Sequence, residues 1–371
     1  MSRSQSPAKR ESKKVLAKLA GLGRKVVTDI KSRRNPAIDI PVRALSNVSF
    51  NEKRSIIELG SQKQKRVLFN VGQARKFMQT FLIAAECKNL LAAGKTTSIR
   101  DLYYIAKHTL GDSRHNTFEE QDESDPIIED LEVTVDALRE ELNLFASNKG
   151  AMVGPLTLVD AGDTIDLRRL GSGGWSVPSI VEESTIQLKR SEAQFVLLVE
   201  KDAVWRRLNE DKFWRQHKCI LVHGGGQPPR GVRRLLARLT SELKIPLYVL
   251  VDNDPWGFYI YSVVKQGSIN LAYESLRMAV PQARFLGLSS YDQDTFQLPA
   301  NVTIKLKEED ERRAKQMLAY PWGHRKEWQR EIRHMLERGV KLEIEALSNK
   351  GLSFISEVYL PKKIREGKFL E

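Results

Sequence analysis

The sequence predicts an α/β chain of two modules, a helical one closed by small β-hairpins and a second built on a mostly parallel sheet. Three observations carry this expectation. Between residues 71 and 142 apolar side chains recur at helical spacing. From Met152 to Ser176 the pattern changes to short β-like runs separated by Gly154-Pro155, Gly162-Asp163 and Gly171-Ser-Gly-Gly174. From Phe195 onward strand and helix patterns alternate, which calls for a parallel sheet covered on both faces.

Taken in order, residues 9 to 31 place Val15, Leu16, Leu19, Leu22, Val26, Val27 and Ile30 on one side of a basic amphipathic helix, softened near Gly21 and Gly23. Asn35-Pro36 and Ile40-Pro41 stop it, and residues 35 to 67 read as an irregular connector. Residues 1–66 are therefore expected to form a basic N-terminal extension. Val71, Ala74, Phe77, Met78, Phe81, Leu82 and Ala85 make a second helix ending near Gly94, and Thr96 or Thr97 caps a third from Ser98 to Thr109. Beyond an acidic loop interrupted by Pro126, a fourth carries Ile127, Ile128, Leu131, Val135, Leu138 and Leu142. Three helices followed by a hairpin is the winged-helix layout, which sets a helix in a DNA groove, and it spans residues 67–180. The second module covers 190–371, with strands at 195–199, 219–222, 246–251 and 284–288 and helices near 202–210, 231–243 and 256–266. Its tail, Ala314 to Leu370, reads as amphipathic helix.

At 371 residues, 41% of them hydrophobic, the chain has material for two cores. No apolar run approaches the ~20 residues of a membrane-spanning helix, and the charged N-terminus lacks the apolar centre of a signal peptide, so no membrane partner is expected and an intracellular protein is. Cys87 and Cys219 have no neighbouring His or Cys at zinc-ligand spacing and read as core thiols. Sixty Lys and Arg against 47 Asp and Glu leave a formal charge of +13, concentrated in residues 1–34. A basic balance suits a phosphate-backbone partner, though such tails also bind proteins or are simply solvated.

The chemistry-bearing residues fall in two groups. Arg100 and Tyr104, in Ser-Ile-Arg-Asp-Leu-Tyr-Tyr, are spaced i, i+4 and share a helical face, so both side chains can address one phosphate. A free tyrosine titrates near pH ~10 and needs a cation, base or metal to attack phosphorus at neutral pH. Tyr103, at i+3 from Arg100, is the competing candidate. Glu200 ends the first strand of the second module, and Asp252-Asn-Asp254-Pro-Trp-Gly257 ends the third. Acids at the carboxyl ends of parallel strands can converge, and hard oxygen ligands suit Mg²⁺. Such acids also cap helices, so both readings stand. His223-Gly-Gly-Gly226 can present N–H groups to a phosphate, and Arg230, Arg233 and Arg234 behind it either contact DNA phosphates or line a solvated face. Gly94-Lys95-Thr96 lacks the first glycine of a Walker A loop, and no Gly-x-Ser-x-Gly elbow exists.

Several of these motifs, in order, resemble the family of DNA topoisomerase VI A subunits, the type IIB enzymes, together with their relatives that make meiotic double-strand breaks. The resemblance spans roughly residues 67–371 and rests on S-I-R-D-L-Y-Y, V-E-K-D-A-V-W-R-R-L, the glycine loop with Q-P-P-R-G-V-R-R, V-D-N-D-P-W-G and G-L-S-F-I-S-E-V-Y-L-P-K-K. It implies a CAP-like winged-helix domain followed by a Toprim domain holding Mg²⁺. By the same resemblance Tyr104 is the nucleophile, Arg100 its supporting cation, Glu200 and Asp252 the metal ligands and Asp254 a further acid. The activity implied is a transient double-strand break through a 5′-phosphotyrosyl link, followed by strand passage and religation. It further implies a homodimer joined by a GHKL-type ATPase, the B subunit, in an A₂B₂ assembly. ATP would act only through that partner, and the place of action would be the cytoplasm with the nucleoid or, in a eukaryote, the nucleus. The basic helix at 9–31, whose apolar stripe of Val15, Leu19, Leu22, Val26 and Ile30 needs a cover, is expected to help dock the ATPase, with self-packing within the homodimer or a DNA contact as the alternatives. One departure concerns the glycine loop, where relatives often carry a lysine and this chain has Gly225. The competing readings are a break-forming homologue that does not reseal, a Toprim nuclease, and a DNA-binding scaffold without covalent catalysis.

Overall fold

The computed structural model describes residues 7–367 and 369–370, with side chains from residue 12 onward. The chain divides into two compact units, residues 1–47 with 59–147, and residues 48–58 with 148–371. Among the described residues no helix is long and apolar enough to cross a membrane.

The first unit opens on α1 (Pro7–Lys31), which runs unbroken through Gly21 and Gly23. Its apolar stripe is covered by this same unit. Val15 and Leu19 are buried in a core with Ile83, Cys87, Leu102 and Leu131, and Leu22 packs on its edge. The covering surface expected from a separate ATPase is thus supplied by the chain itself, leaving only Val27 and Ile30 half exposed.

The stretch 35–67, read from sequence as irregular, is built of short strands. β1 (Ala37–Pro41) pairs antiparallel with β4 (Lys63–Val67), and between them β2 (Val48–Asn51) and β3 (Ile56–Leu59) form a hairpin. The base of that hairpin is clasped by Asn47, whose side-chain amide donates to the Val42 and Gln62 carbonyls at 2.8 and 3.1 Å while its oxygen accepts the Gln62 N–H at 2.9 Å. Gly60 must be glycine there, since a Cβ would overlap the Asn47 side chain. The hairpin itself belongs to the second unit, where Phe50 stands 6.3 Å, centroid to centroid, from Trp322.

α2 (Val71–Ala93) stops where Gly94 turns left-handed at φ 61° and donates back to the last carbonyls. A short parallel pair, β5 (Thr97–Ser98) and β6 (Leu144–Phe145), brackets α3 (Ile99–Ala106) and α4 (Ser124–Val135). Pro126 lies in the first turn of α4, where a missing N–H costs nothing. Arg66 and Arg43 both pair with Asp130 on α4, at 2.6 and 3.0 Å, which ties the β1–β4 ribbon to the helices. Cys87 is buried in this core and its thiol is pushed up to about 12 by desolvation, as befits an inert core thiol.

The strands expected to close the first module instead belong to the second unit. β7 (Ala151–Val153) joins the main sheet, while β8 (Leu156–Asp160), β9 (Asp163–Asp166) and β11 (Ile186–Ser191) form a separate three-stranded sheet; β10 (Trp175–Ser176) edges the main one. Period and turn residues identify a strand but not its partner, which is why the hairpin reading misassigned them.

The main sheet has the order β10-β7-β13-β12-β14-β15, with β12 (Phe195–Val199), β13 (Cys219–His223), β14 (Leu247–Leu250) and β15 (Arg284–Gly287) mutually parallel. Side chains alternate along β12: Val196 and Leu198 enter one core, Phe195, Leu197 and Val199 the other. Both faces are therefore dry, which explains runs of unbroken apolar residues. α5 (Asp202–Glu210), α6 (Phe213–Gln216), α7 (Arg230–Leu243) and α8 (Pro255–Gln266) alternate with the strands. Because β12 is flanked by β13 on one side and β14 on the other, the chain reverses direction across the sheet at β12, and the crevice lies beyond the ends of β12 and β14. The tail is helical at Glu308–Leu318, Lys326–Arg338 and Leu360–Glu366.

Candidate active site

On the first unit, α3 exists because Ser98 caps it, its hydroxyl accepting the Asp101 N–H at 3.0 Å, and because one face is apolar. Leu102, Tyr103 and Ala106 enter the core, and Arg100, Tyr104 and Ile105 face solvent. This separates the two tyrosines. Tyr103 is 5% exposed, and its hydroxyl donates to the Glu119 carbonyl at 2.9 Å while accepting from Lys107 Nζ at 2.8 Å. Tyr104 is 60% exposed, its ring edge-on to Tyr103 with centroids 5.0 Å apart. Among the described residues neither the Tyr104 hydroxyl nor the Arg100 guanidinium has a hydrogen-bond partner.

On the second unit, sheet register brings the acids together. Val199 pairs with Leu250, so Glu200 and Asp252 lie just past neighbouring strand ends. Glu200 Oε2 accepts the Asp252 backbone N–H at 3.0 Å. Asp252 Oδ1 accepts the Ile344 N–H at 2.8 Å, and its Oδ2 takes the Lys201 ammonium at 3.0 Å. Burial, reinforced by the Asp252 charge, pushes the Glu200 carboxyl up to about 7. Burial pushes Asp252 up to about 6 against the opposing pull of the Ile344 N–H and Lys201. Asp254 is raised as well, again by burial first.

Asp254 plays a different part from its neighbours. Its Oδ1 accepts the Gly257 N–H at 2.6 Å and caps α8, with Pro255 in the first turn. The helix-capping alternative therefore describes Asp254, while Glu200 and Asp252 meet beyond the ends of β12 and β14. Among the described residues no three His, Cys, Asp or Glu side chains already enclose a metal position. The donor chemistry nonetheless fits Mg²⁺: two adjacent, partly desolvated carboxylates whose charges oppose each other are what a hard divalent cation relieves, and Mg²⁺ keeps waters in its remaining positions.

Gly257 holds this geometry by its lack of a side chain, because a Cβ there would overlap the Asp252 carbonyl oxygen. Gly257→Ala is expected to cost about 1–3 kcal/mol from overpacking and to displace Asp252. Chemical denaturation will show the loss of stability, and a Mg²⁺ titration the weakened binding; an unchanged midpoint and affinity would refute the close-approach argument.

The middle strand ends in His223 and the glycine loop, where the Gly226 N–H donates to the Glu200 carbonyl at 2.9 Å. The loop thus braces the acid strand end. His223 is largely buried, and desolvation holds its imidazole below the usual range, partly offset by Asp202 at 3.3 Å. Arg230, Arg233 and Arg234 of α7 are committed within the unit. Arg230 pairs with Glu274 and reaches the Tyr273 hydroxyl at 2.7 Å, Arg234 makes a two-pronged pair with Glu182 at 2.8 and 2.9 Å, and Arg233 is 5% exposed. These contacts favour the structural reading of Arg230 and Arg234, although Arg277 shares both glutamates and the cluster keeps a net positive charge.

Sequence reasoning missed the residues around Asp252. Lys201 also reaches Glu343 and Glu345, at 3.1 and 2.7 Å. The one available signal was the acid pair Glu343-Ile-Glu345, which stands where the chain enters a short 3₁₀ helix, Ile344–Lys350.

Three family models match the chain in succession. Residues 75–144 match the model described as type IIB DNA topoisomerase, residues 148–191 an all-beta domain in the alpha subunit of DNA topoisomerase VI, and residues 195–364 the Toprim domain of the topoisomerase 6 A subunit and Spo11. Among curated relatives, the A subunit of type 2 DNA topoisomerase 6 from Pyrococcus horikoshii is 45% identical over 370 residues, and that from Pyrococcus abyssi 44%, each alignment covering 97% of this chain and 96% of the relative. The protein of the same name from Hyperthermus butylicus is 42% identical over 378 residues, with the same coverage.

Proposed function

The chain belongs to the family of DNA topoisomerase VI A subunits, and from that premise we propose how its residues divide the work of the reaction. It is the DNA-cleaving subunit of a type IIB topoisomerase, a DNA-binding protein that works with a B subunit. Tyr104 is the nucleophile. The observation that carries this is the contrast on α3, where Tyr103 is buried with its hydroxyl engaged and Tyr104 is exposed one turn after Arg100. As the Tyr104 Oη–phosphorus bond forms, the phosphorus–O3′ bond breaks, leaving a 5′-phosphotyrosyl link and a free 3′-hydroxyl; the phenolic proton is released and the 3′ oxygen regains one. The bond energy is retained, so the 3′-hydroxyl can reverse the step. Arg100 favours the phenolate and the pentacoordinate phosphate by charge.

Mg²⁺, when bound, would be held by Glu200 and Asp252 and would stabilise negative charge on the phosphate. Asp254 supports it from its capping position. The first unit presents α3 to the duplex in winged-helix fashion, though without the expected hairpin, a reading supported by the packing of α2, α3 and α4 and by the exposed face that bears Arg100 and Tyr104. Cutting both strands needs two tyrosines, so the working form is a twofold homodimer, and a GHKL-type ATPase completes an A₂B₂ assembly that draws on ATP.

The test is relaxation of supercoiled plasmid by the purified chain with and without its ATPase partner. ATP-dependent relaxation is expected only with both proteins present, and a denaturant stop should leave protein on 5′ ends. Many turnovers by this chain alone would contradict the division of labour.

A further inference from the structure

We propose that Lys201 is a resident counter-ion of the acid cluster, holding Asp252 in the metal-free protein and retreating onto Glu343 and Glu345 when a divalent cation enters. The proposal rests on the reading of Glu200 and Asp252 as Mg²⁺ ligands. The ammonium spends its three N–H donors on Asp252 Oδ2 at 3.0 Å, Glu343 Oε2 at 3.1 Å and Glu345 Oε2 at 2.7 Å. Asp252 Oδ1 is already taken by the Ile344 N–H, so Oδ2 is the oxygen left for a cation, and the lysine sits on it.

The three acids differ in setting. The Asp252 side chain is 8% exposed, whereas those of Glu343 and Glu345 are 48% and 44% exposed, so the lysine bridges one interior position and two outer ones. The outer pair is fixed in place: Leu342 exchanges both backbone hydrogen bonds with Asn253, and Ile344 is held by Asp252 itself. A long, flexible stem lets an ammonium surrender one contact and keep two. A divalent cation between Glu200 and Asp252 repels that ammonium and competes for Oδ2, so Lys201 lowers the apparent Mg²⁺ affinity while keeping the empty cluster from repelling itself apart. Glu343 and Glu345 favour the metal by receiving the displaced charge.

The test is calorimetric titration of the full chain, stripped with EDTA, with MgCl₂. Lys201→Met is expected to bind Mg²⁺ on the order of tenfold more tightly, within the range of typical site couplings, while melting earlier without metal. Glu343→Gln/Glu345→Gln is expected to weaken Mg²⁺ several-fold in the Lys201 background and to have no effect in the Lys201→Met background, since the outer acids act through the lysine. Equal effects in both backgrounds would indicate ordinary charge summation and overturn the proposal, as would weaker Mg²⁺ binding in Lys201→Met. The double glutamine variant keeps the Lys201–Asp252 pair and stands as a check even where Lys201→Met does not fold: unchanged or tighter Mg²⁺ binding there overturns the idea. If the parent binds no Mg²⁺, or binds it equally well as Glu200→Gln, the metal reading falls and the Lys201 role with it.

Discussion

Tyr104→Phe will abolish covalent protein–DNA adducts, a loss on the order of 10⁴-fold or more because the nucleophile itself is gone, and DNA binding will stay close to that of the parent. The side chain is 60% exposed and has no hydrogen-bond partner among the described residues, so removing its oxygen leaves nothing buried and unsatisfied. Tyr103→Phe should show the reverse pattern. Its hydroxyl bridges the Glu119 carbonyl and Lys107, and deleting it should cost about 1 kcal/mol of stability while adducts persist. Denaturant-trapped adducts on end-labelled DNA, paired with thermal melts of the same proteins, measure both. Adducts that survive in Tyr104→Phe and vanish in Tyr103→Phe would reassign the nucleophile.

The second large effect is expected at the acids. Glu200→Gln and Asp252→Asn should each reduce Mg²⁺-dependent cleavage by roughly 10²- to 10⁴-fold, the worth of a lost ligand to a charge-stabilising cation. Their stabilities should part company. Glu200 is a desolvated carboxylate facing another, so its neutral amide should leave the metal-free fold at least as stable as the parent. Asp252 accepts the Ile344 N–H and the Lys201 ammonium, so Asp252→Asn should lower the melting temperature as well as the cleavage rate. Cleavage that continues at the parental rate in EDTA would remove the metal from the mechanism.

Much of the second unit could be read from residues because each parallel strand is a short apolar run with an abrupt polar end. β12, β13 and β14 fall within a residue or two of their expected limits, and their register then forces Glu200 and Asp252 together. What escaped depended on partners distant in sequence. β4 reads as a polar stretch because Lys63, Gln64 and Lys65 are solvent-exposed and its order comes from pairing with β1. Arg230 and Arg234 of α7 look like a free basic face until Glu274 and Glu182, 44 and 52 residues away, are seen to pair with them. The tyrosine choice lay closer to hand, since Ile99, Leu102, Tyr103 and Ala106 form an i, i+3, i+4, i+7 stripe that marks Tyr103 as the inward residue.

The loan of the β2–β3 hairpin has a consequence for anyone who would take the molecule apart. The polypeptide passes from one unit to the other at 47–48, at 58–59 and at 147–148, so no single scissors cut yields two self-sufficient halves. A piece beginning at Asn148 leaves Trp322 without Phe50, and a piece ending at Ser147 carries off a hairpin that belongs elsewhere. Any fragment meant to keep the second unit whole without the first must therefore carry residues 48–58 as well as 148–371, which only a circularly permuted or two-piece chain can do.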